Sequence, residues 1–126
     1  MRQLWIAVTI LAAMVLLLAW NTSHVRQVTE TMIEDLSQAA EAAQDEDWDR
    51  ATELTKEVQD RWQKDVDYLR YVQTHEDIDE ITVLLREVAG FLTDHDVGEY
   101  TATSVRIIGK LEVIRDLEEI SPGNLF

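Results

Sequence analysis

Seventeen consecutive residues without a charge, "LWIAVTILAAMVLLLAW" from Leu4 to Trp20, limit this chain more than any other feature. At about 1.5 Å per residue a helix of that length covers roughly 25 Å, near the short end of what crosses the hydrocarbon core of a bilayer. Trp5 and Trp20 stand at its two ends, where amphipathic rings prefer the headgroup level, and Arg2 with the terminal amine puts positive charge on the amino side. A cleaved secretory signal would have a shorter apolar core and small residues at the cut. Here the run closes in Leu18-Ala19-Trp20-Asn21, with a bulky ring where a small residue is needed. The expectation is an uncleaved transmembrane signal anchor over residues 1–22, in the membrane through residues 4–20. The amino terminus then lies in the cytoplasm, and residues 23–126 form an extracytoplasmic domain on the cell membrane.

Beyond Trp20 the apolar residues recur at helical spacing. Val25, Val28, Met32, Leu36, Ala39 or Ala40, and Ala43 continue the first helix outward. The acidic run "DEDWD" then breaks the pattern and opens a second helix. In it Trp48, Ala51, Leu54, Val58, Trp62, Val66, Leu69 and Val72 fall within an arc of about 120° at 100° per residue, with Trp48 and Trp62 as its core anchors. A third helix is expected from His75 to Leu92 on Ile78, Ile81, Leu85, Val88 and Leu92. A fourth runs from Val97 to Glu118 on Tyr100, Ile107, Ile108, Leu111, Ile114 and Leu117, closed by the Pro and Gly of "SPGNLF". One proline and four glycines leave too few turn signals for many short strands. The fold class is therefore all-α: one transmembrane helix, then a small antiparallel bundle of three to four helices arranged as two hairpins. A shift of 49 residues lays Leu36 on Leu85, Asp47 on Asp96 and Trp62 on Leu111, which fits either a duplicated hairpin or two hairpins of similar geometry.

Charge and composition exclude several functions. Setting aside Arg2, ten basic residues face 25 acidic ones, a formal charge of −15 on the remainder. Such a surface repels phosphates and anionic headgroups, so nucleic acid and flat binding to a membrane surface are disfavoured. Without cysteine there is no disulfide, thiolate metal site or cysteine nucleophile.

The sequence "DEDWDRATELTK" places Asp45, Asp47 and Asp49 at the first, third and fifth positions of a calcium loop. Arg50 then replaces the required Gly and Lys56 the closing Glu, so these acids read as helix caps. Asp96 and Glu99 repeat the device as a capping box. "THEDIDEI" has the look of a zinc-protease helix, but Asp79 stands where the second His belongs, and Thr74 makes a good N-cap. At 100° per residue His75, Asp79, Thr82 and Arg86 lie at about 0°, 40°, 340° and 20°, a polar row beside the apolar stripe. It reads as an interhelical network or as a docking patch. The serines have no His in evident relation to them and no glycine-rich phosphate loop exists, so no enzyme, metal site or cofactor is expected.

An amino-terminal anchor, a helix opening "DWDRA", Trp62, "HEDIDEI", Arg86 and a terminal "GNLF" together resemble domain of unknown function family 4363, across nearly the whole chain. The family's His, Ile, Asp and Ile fall on His75, Ile78, Asp79 and Ile81, its third-helix Arg on Arg86, and its closing residues on Asn124, Leu125 and Phe126. Asp77 stands where Glu is expected, and Ser121-Pro122-Gly123 tightens the final turn. The resemblance implies a single-pass membrane protein of Gram-positive, spore-forming bacteria such as clostridia, encoded beside multi-pass membrane proteins as an accessory subunit would be.

The expected function is thus a membrane-anchored accessory or scaffold module docking on another integral membrane protein. His75, Asp79, Arg86, Asn124 and Phe126 are its candidate structural or docking residues. The alternative is a ligand- or cation-sensing helical domain that lacks its own output domain.

Overall fold

A computed structural model describes residues 1–72 and 75–119, leaving aside the side chains of 72, 75 and 117–119. The described residues form α1 (Arg2–Gln44), α2 (Trp48–Val72), α3 (His75–Thr93) and α4 (Val97–Glu119), with no strand among them. α1 is one unbroken helix of 43 residues, so nothing interrupts the backbone at Asn21. Its two halves differ because their sequences do. Residues 4–20 are apolar on every side and exposed on every side. From Val25 onward the apolar residues recur every three or four positions, and Val25, Val28, Met32, Leu36, Ala39 and Ala43 are buried along a single stripe.

α1 packs against α2 and α4, and α3 packs against the same two helices, so the four enclose a common core. The stripe expected on α2 supplies Ala51, Leu54, Val58, Trp62 and Leu69, with Trp48 and Val66 half-buried at its edge. α3 supplies Ile78, Ile81, Leu85, Val88 and Leu92, together with Leu84, which the periodic reading left out. α4 supplies Tyr100, Ile107, Leu111 and Ile114. Val72 and Leu117 lie outside the described side chains.

The two turns α1–α2 and α3–α4 are built alike, 49 residues apart. α1 ends in a paired closure: the Asp47 N–H donates to the Ala42 carbonyl and the Glu46 N–H to the Ala43 carbonyl, with Glu46 at φ 61°. α3 ends in the same pair: the Asp96 N–H donates to Phe91 and the His95 N–H to Leu92, with His95 at φ 54°. This is the helix closure in which one left-handed residue lets its own N–H and that of the following residue satisfy free carbonyls. The residue that completes each closure also starts the next helix. An Asp47 carboxylate oxygen accepts from the Arg50 N–H at 3.3 Å, and an Asp96 oxygen from the Glu99 N–H at 3.2 Å. Of the acids in "DEDWD" and "DVGE", Asp47 and Asp96 thus take cap positions, while the Asp96 N–H goes to Phe91 and not to Glu99, so the reciprocal bond of the expected capping box is not made. Trp48 and His95 stack across the gap between the two turns, 4.5 Å apart and within 3° of parallel.

Side-chain contacts fix which ends meet. Tyr68, late in α2, reaches Asn21, midway along α1 where its buried half begins. Gln59 and Trp62 of α2 reach Leu85 and Thr82 of α3, so numbers rise on one helix as they fall on the other. Lys110, late in α4, reaches Glu80, early in α3. The ends of α2 and α4 therefore lie at the Asn21 end of the core, beside the exposed apolar half of α1. The turns at Glu46 and His95 lie at the far end.

Candidate functional site

The polar row singled out on α3 lies against α2. The Arg70 guanidinium, in the last turn of α2, approaches the Asp79 carboxylate at 3.4 Å. Trp62 Nε1–H donates to Thr82 Oγ1 at 2.9 Å, and that hydroxyl passes its own proton to the Ile78 carbonyl at 3.0 Å. The Gln59 amide donates to the Leu85 carbonyl at 3.0 Å. Trp62 is 2% exposed, so its indole N–H needed a partner inside, and Thr82 provides it. Asp79 and Arg70 are 64% and 43% exposed, which makes theirs a surface ion pair of little energetic weight. Arg86 is exposed. The His75 side chain, Asn124 and Phe126 lie outside what the structure describes, as does Thr74.

A second polar feature sits deeper, between α2 and α4. The Thr55 hydroxyl donates to the Ala51 carbonyl at 2.6 Å, which leaves its oxygen to accept from the Tyr100 hydroxyl at 2.5 Å. Both residues are buried. Burial pushes the Tyr100 phenol above its ordinary pKa of 10.0. Its hydroxyl is held neutral and committed to the core, which suits a packing role better than a reactive one.

A third cluster surrounds the point where α1 leaves the core. Trp20 and His24 are one turn apart and stack at 5.2 Å, and the edge of Tyr68 closes on both, 6.1 Å from Trp20 and 5.1 Å from His24. The Tyr68 hydroxyl donates to the Asn21 carboxamide oxygen, and His24 Nε2 lies 3.9 Å from an Asp65 oxygen. Helical periodicity alone gives His24 no role. A usable signal existed: in a hairpin centred on Glu46, residues equally far from the centre face each other, which pairs His24 with Tyr68. This aromatic collar fastens the end of α2 to α1 beside its apolar half.

Open grooves also mark the surface of the described residues. One of about 620 Å³ lies between α3 and α4, with Val83 and Leu84 flanked by Glu76, Glu80, Glu87 and, on α4, Arg106 and Lys110. Another, about 730 Å³, lies between α1 and α2 along His24, Val28, Arg61 and Lys64. Among the described residues no group of three or more histidines and carboxylates could share a metal ion. What the arrangement offers is surfaces for binding, together with an apolar half of α1 that none of the described residues covers.

The family model described as "Domain of unknown function (DUF4363)" matches residues 19–125. No curated protein and no solved structure matches the chain. α1 is long and apolar enough to cross a membrane.

Proposed function

The chain belongs to the DUF4363 family, and from that premise we propose that it is a membrane-anchored accessory module. Residues 1–22 form the transmembrane anchor. Residues 23–126 form an antiparallel bundle of two helical hairpins outside the cytoplasm, docking on another integral membrane protein and working by binding, without catalysis. One observation carries the reading: a continuous α1 is exposed along its whole apolar half and buried on one face along the rest. In water, exposing Leu4, Trp5, Ile6, Val8, Ile10 and Leu11 and the residues after them would be untenable, whereas lipid covers such a helix at no cost to its backbone hydrogen bonds. Arg2 and the terminal amine on the amino side favour the amino terminus in the cytoplasm.

The collar of Trp20, His24 and Tyr68 supports the same picture, because aromatic rings with polar edges suit the interface between lipid and water. A bundle held that close to a bilayer stands beside the extramembrane parts of neighbouring membrane proteins. The test is crosslinking of the tagged full chain in native membranes, with alkaline washing and protease treatment of intact protoplasts. The expected result is retention in the washed membranes, digestion of the bundle from outside, and recovery of one integral membrane protein. A chain washed off by alkali, a protected bundle, or a chain that crosslinks to nothing would each overturn the part it tests.

A further inference from the structure

The outward face of α4 differs from every expectation for a helix side turned to water. At 100° per residue Val105, Gly98, Gly109, Ala102 and Val113 lie at about 0°, 20°, 40°, 60° and 80°, a single stripe opposite the buried Ile107, Leu111 and Ile114. All five are exposed, Val105 by 61% and Val113 by 54%. The chain contains its own control. Moving back 49 residues, the shift that superposes the two turns, these positions fall on Lys56, Asp49, Asp60, Glu53 and Lys64 of α2, which are likewise exposed. The five positions are all charged in one half of the molecule and all uncharged in the other.

Gly109 adds an independent observation. Glycine in a helix interior weakens the helix relative to alanine, so its presence calls for something close to the backbone. A Cβ built there would meet nothing within 4 Å, as at Gly90 on α3, so nothing among the described residues requires the glycine. The site leaves room for a close approach from outside. The stripe then ends, toward the Asn21 end of the bundle, in two exposed carboxylates on the same side, Glu112 and Asp116. Among the described residues Asp116 pairs with the adjacent Arg115, at 3.4 Å.

We propose that this face of α4 receives a helix of a partner membrane protein, one with small or apolar residues against Gly98 to Gly109 and lysine or arginine against Glu112 and Asp116. The inference rests on the docking function proposed above and names its surface. Charge decides between a foreign helix and a second copy of this chain. Two copies anchored in one membrane by α1 stand in the same direction, so a symmetric contact along α4 sets Glu112 near Glu112 and Asp116 near Asp116. Like carboxylates repel at that range, whereas a basic side chain is attracted. Small residues let two helix axes approach closely along the stripe, and Val105 and Val113 supply apolar area beside them.

Because the chain has no cysteine, single-cysteine variants report one position each. Ala102→Cys and Gly109→Cys test the stripe, and Glu53→Cys and Asp60→Cys are their matched controls on α2. All four sites are exposed and tolerate the side chain. In native membranes holding the full-length protein, a membrane-impermeant maleimide is expected to label 102 and 109 at least tenfold more slowly than 53 and 60. After purification in detergent the four should label alike. A photoreactive probe on Gly109→Cys should join a helical segment of an integral membrane protein that carries a basic residue within two turns of the joined site. Equal labelling of all four in native membranes overturns this surface, and an adduct of twice the chain mass overturns the foreign partner in favour of a second copy. If probes on other faces still recover a membrane protein, docking stands and only its place on α4 is lost. If no face recovers one, the docking function itself is lost.

Discussion

Tyr100 carries a phenol into an apolar core, and the surroundings of that phenol set how the protein should respond to alkali. Its hydroxyl donates to Thr55, which keeps its own bond to the Ala51 carbonyl whether or not Tyr100 is there. Removing the hydroxyl with Tyr100→Phe should therefore cost only about 1 kcal/mol at neutral pH. Burial raises the folded pKa above the unfolded value near 10, so the folded phenol stays neutral where the unfolded one ionises. Stability from this group is fully present below about pH 10 and is lost as pH rises through the folded value. Urea unfolding of the detergent-solubilised chain at rising pH should show a steeper loss above pH 10 in the native protein than in Tyr100→Phe. Parallel losses would mean that other groups govern the alkaline limb. Tyr100 was legible as a core residue from its spacing in α4, as was Trp62 in α2. Their partners Thr55 and Thr82 were not, because a threonine within a helix gives no local sign of whether its oxygen serves a distant side chain. For the same reason the polar row on α3 could be seen as an edge but not assigned Arg70, which the fold brings from the end of α2.

At the level of elements, helix spans and caps were readable because apolar spacing and acid placement are local signals. Register between helices was less so, although the matching turns at Glu46 and His95 now account for it. Each turn holds a residue with a side chain in the left-handed region, where a Cβ costs roughly 1 to 2 kcal/mol and glycine costs far less. Glu46→Gly should therefore stabilise the protein by about 0.5 to 1 kcal/mol, after allowance for the greater freedom of glycine in the unfolded chain. His95→Gly removes the same strain but also the stack on Trp48, which is worth about 0.5 to 1.5 kcal/mol, so its net change should lie near zero. Asp47→Ala and Asp96→Ala should each cost about 1 kcal/mol, and nearly the same amount, since their bonds to Arg50 and Glu99 match. Thermal unfolding of the four variants followed by circular dichroism checks the set. Destabilisation by Glu46→Gly would show that the carboxylate at that site contributes more than its backbone strain costs.

For the whole molecule the dominant quantity is a formal charge of −14 on 126 residues. Several of the described ion pairs lie at the surface, among them Arg26–Glu30, each side chain about half exposed, and Arg70–Asp79. Pairs of that kind contribute between about 0 and 1 kcal/mol, and salt weakens them. Opposing them is repulsion among many like charges, spread over the outer surfaces of α2 and α3 and concentrated at the two turns, where Asp45, Glu46, Asp47, Asp94 and Asp96 are all exposed. Unfolding lets these charges separate, so their repulsion subtracts from stability. Screening acts on both effects, with a Debye length falling from about 30 Å at 0.01 M salt to about 10 Å at 0.1 M. Repulsion should be relieved by more than the ion pairs lose, because it sums over many separations while each pair acts alone. The melting temperature of the full chain in a neutral detergent should therefore rise by several degrees as sodium chloride goes from about 0.01 M to 0.3 M. Chloride is the salt to use, because sulfate strengthens apolar burial on its own account and would raise the melting temperature for a different reason. A fall with chloride would mean that specific ion pairs, and not the acidic excess, set the electrostatic balance of the bundle.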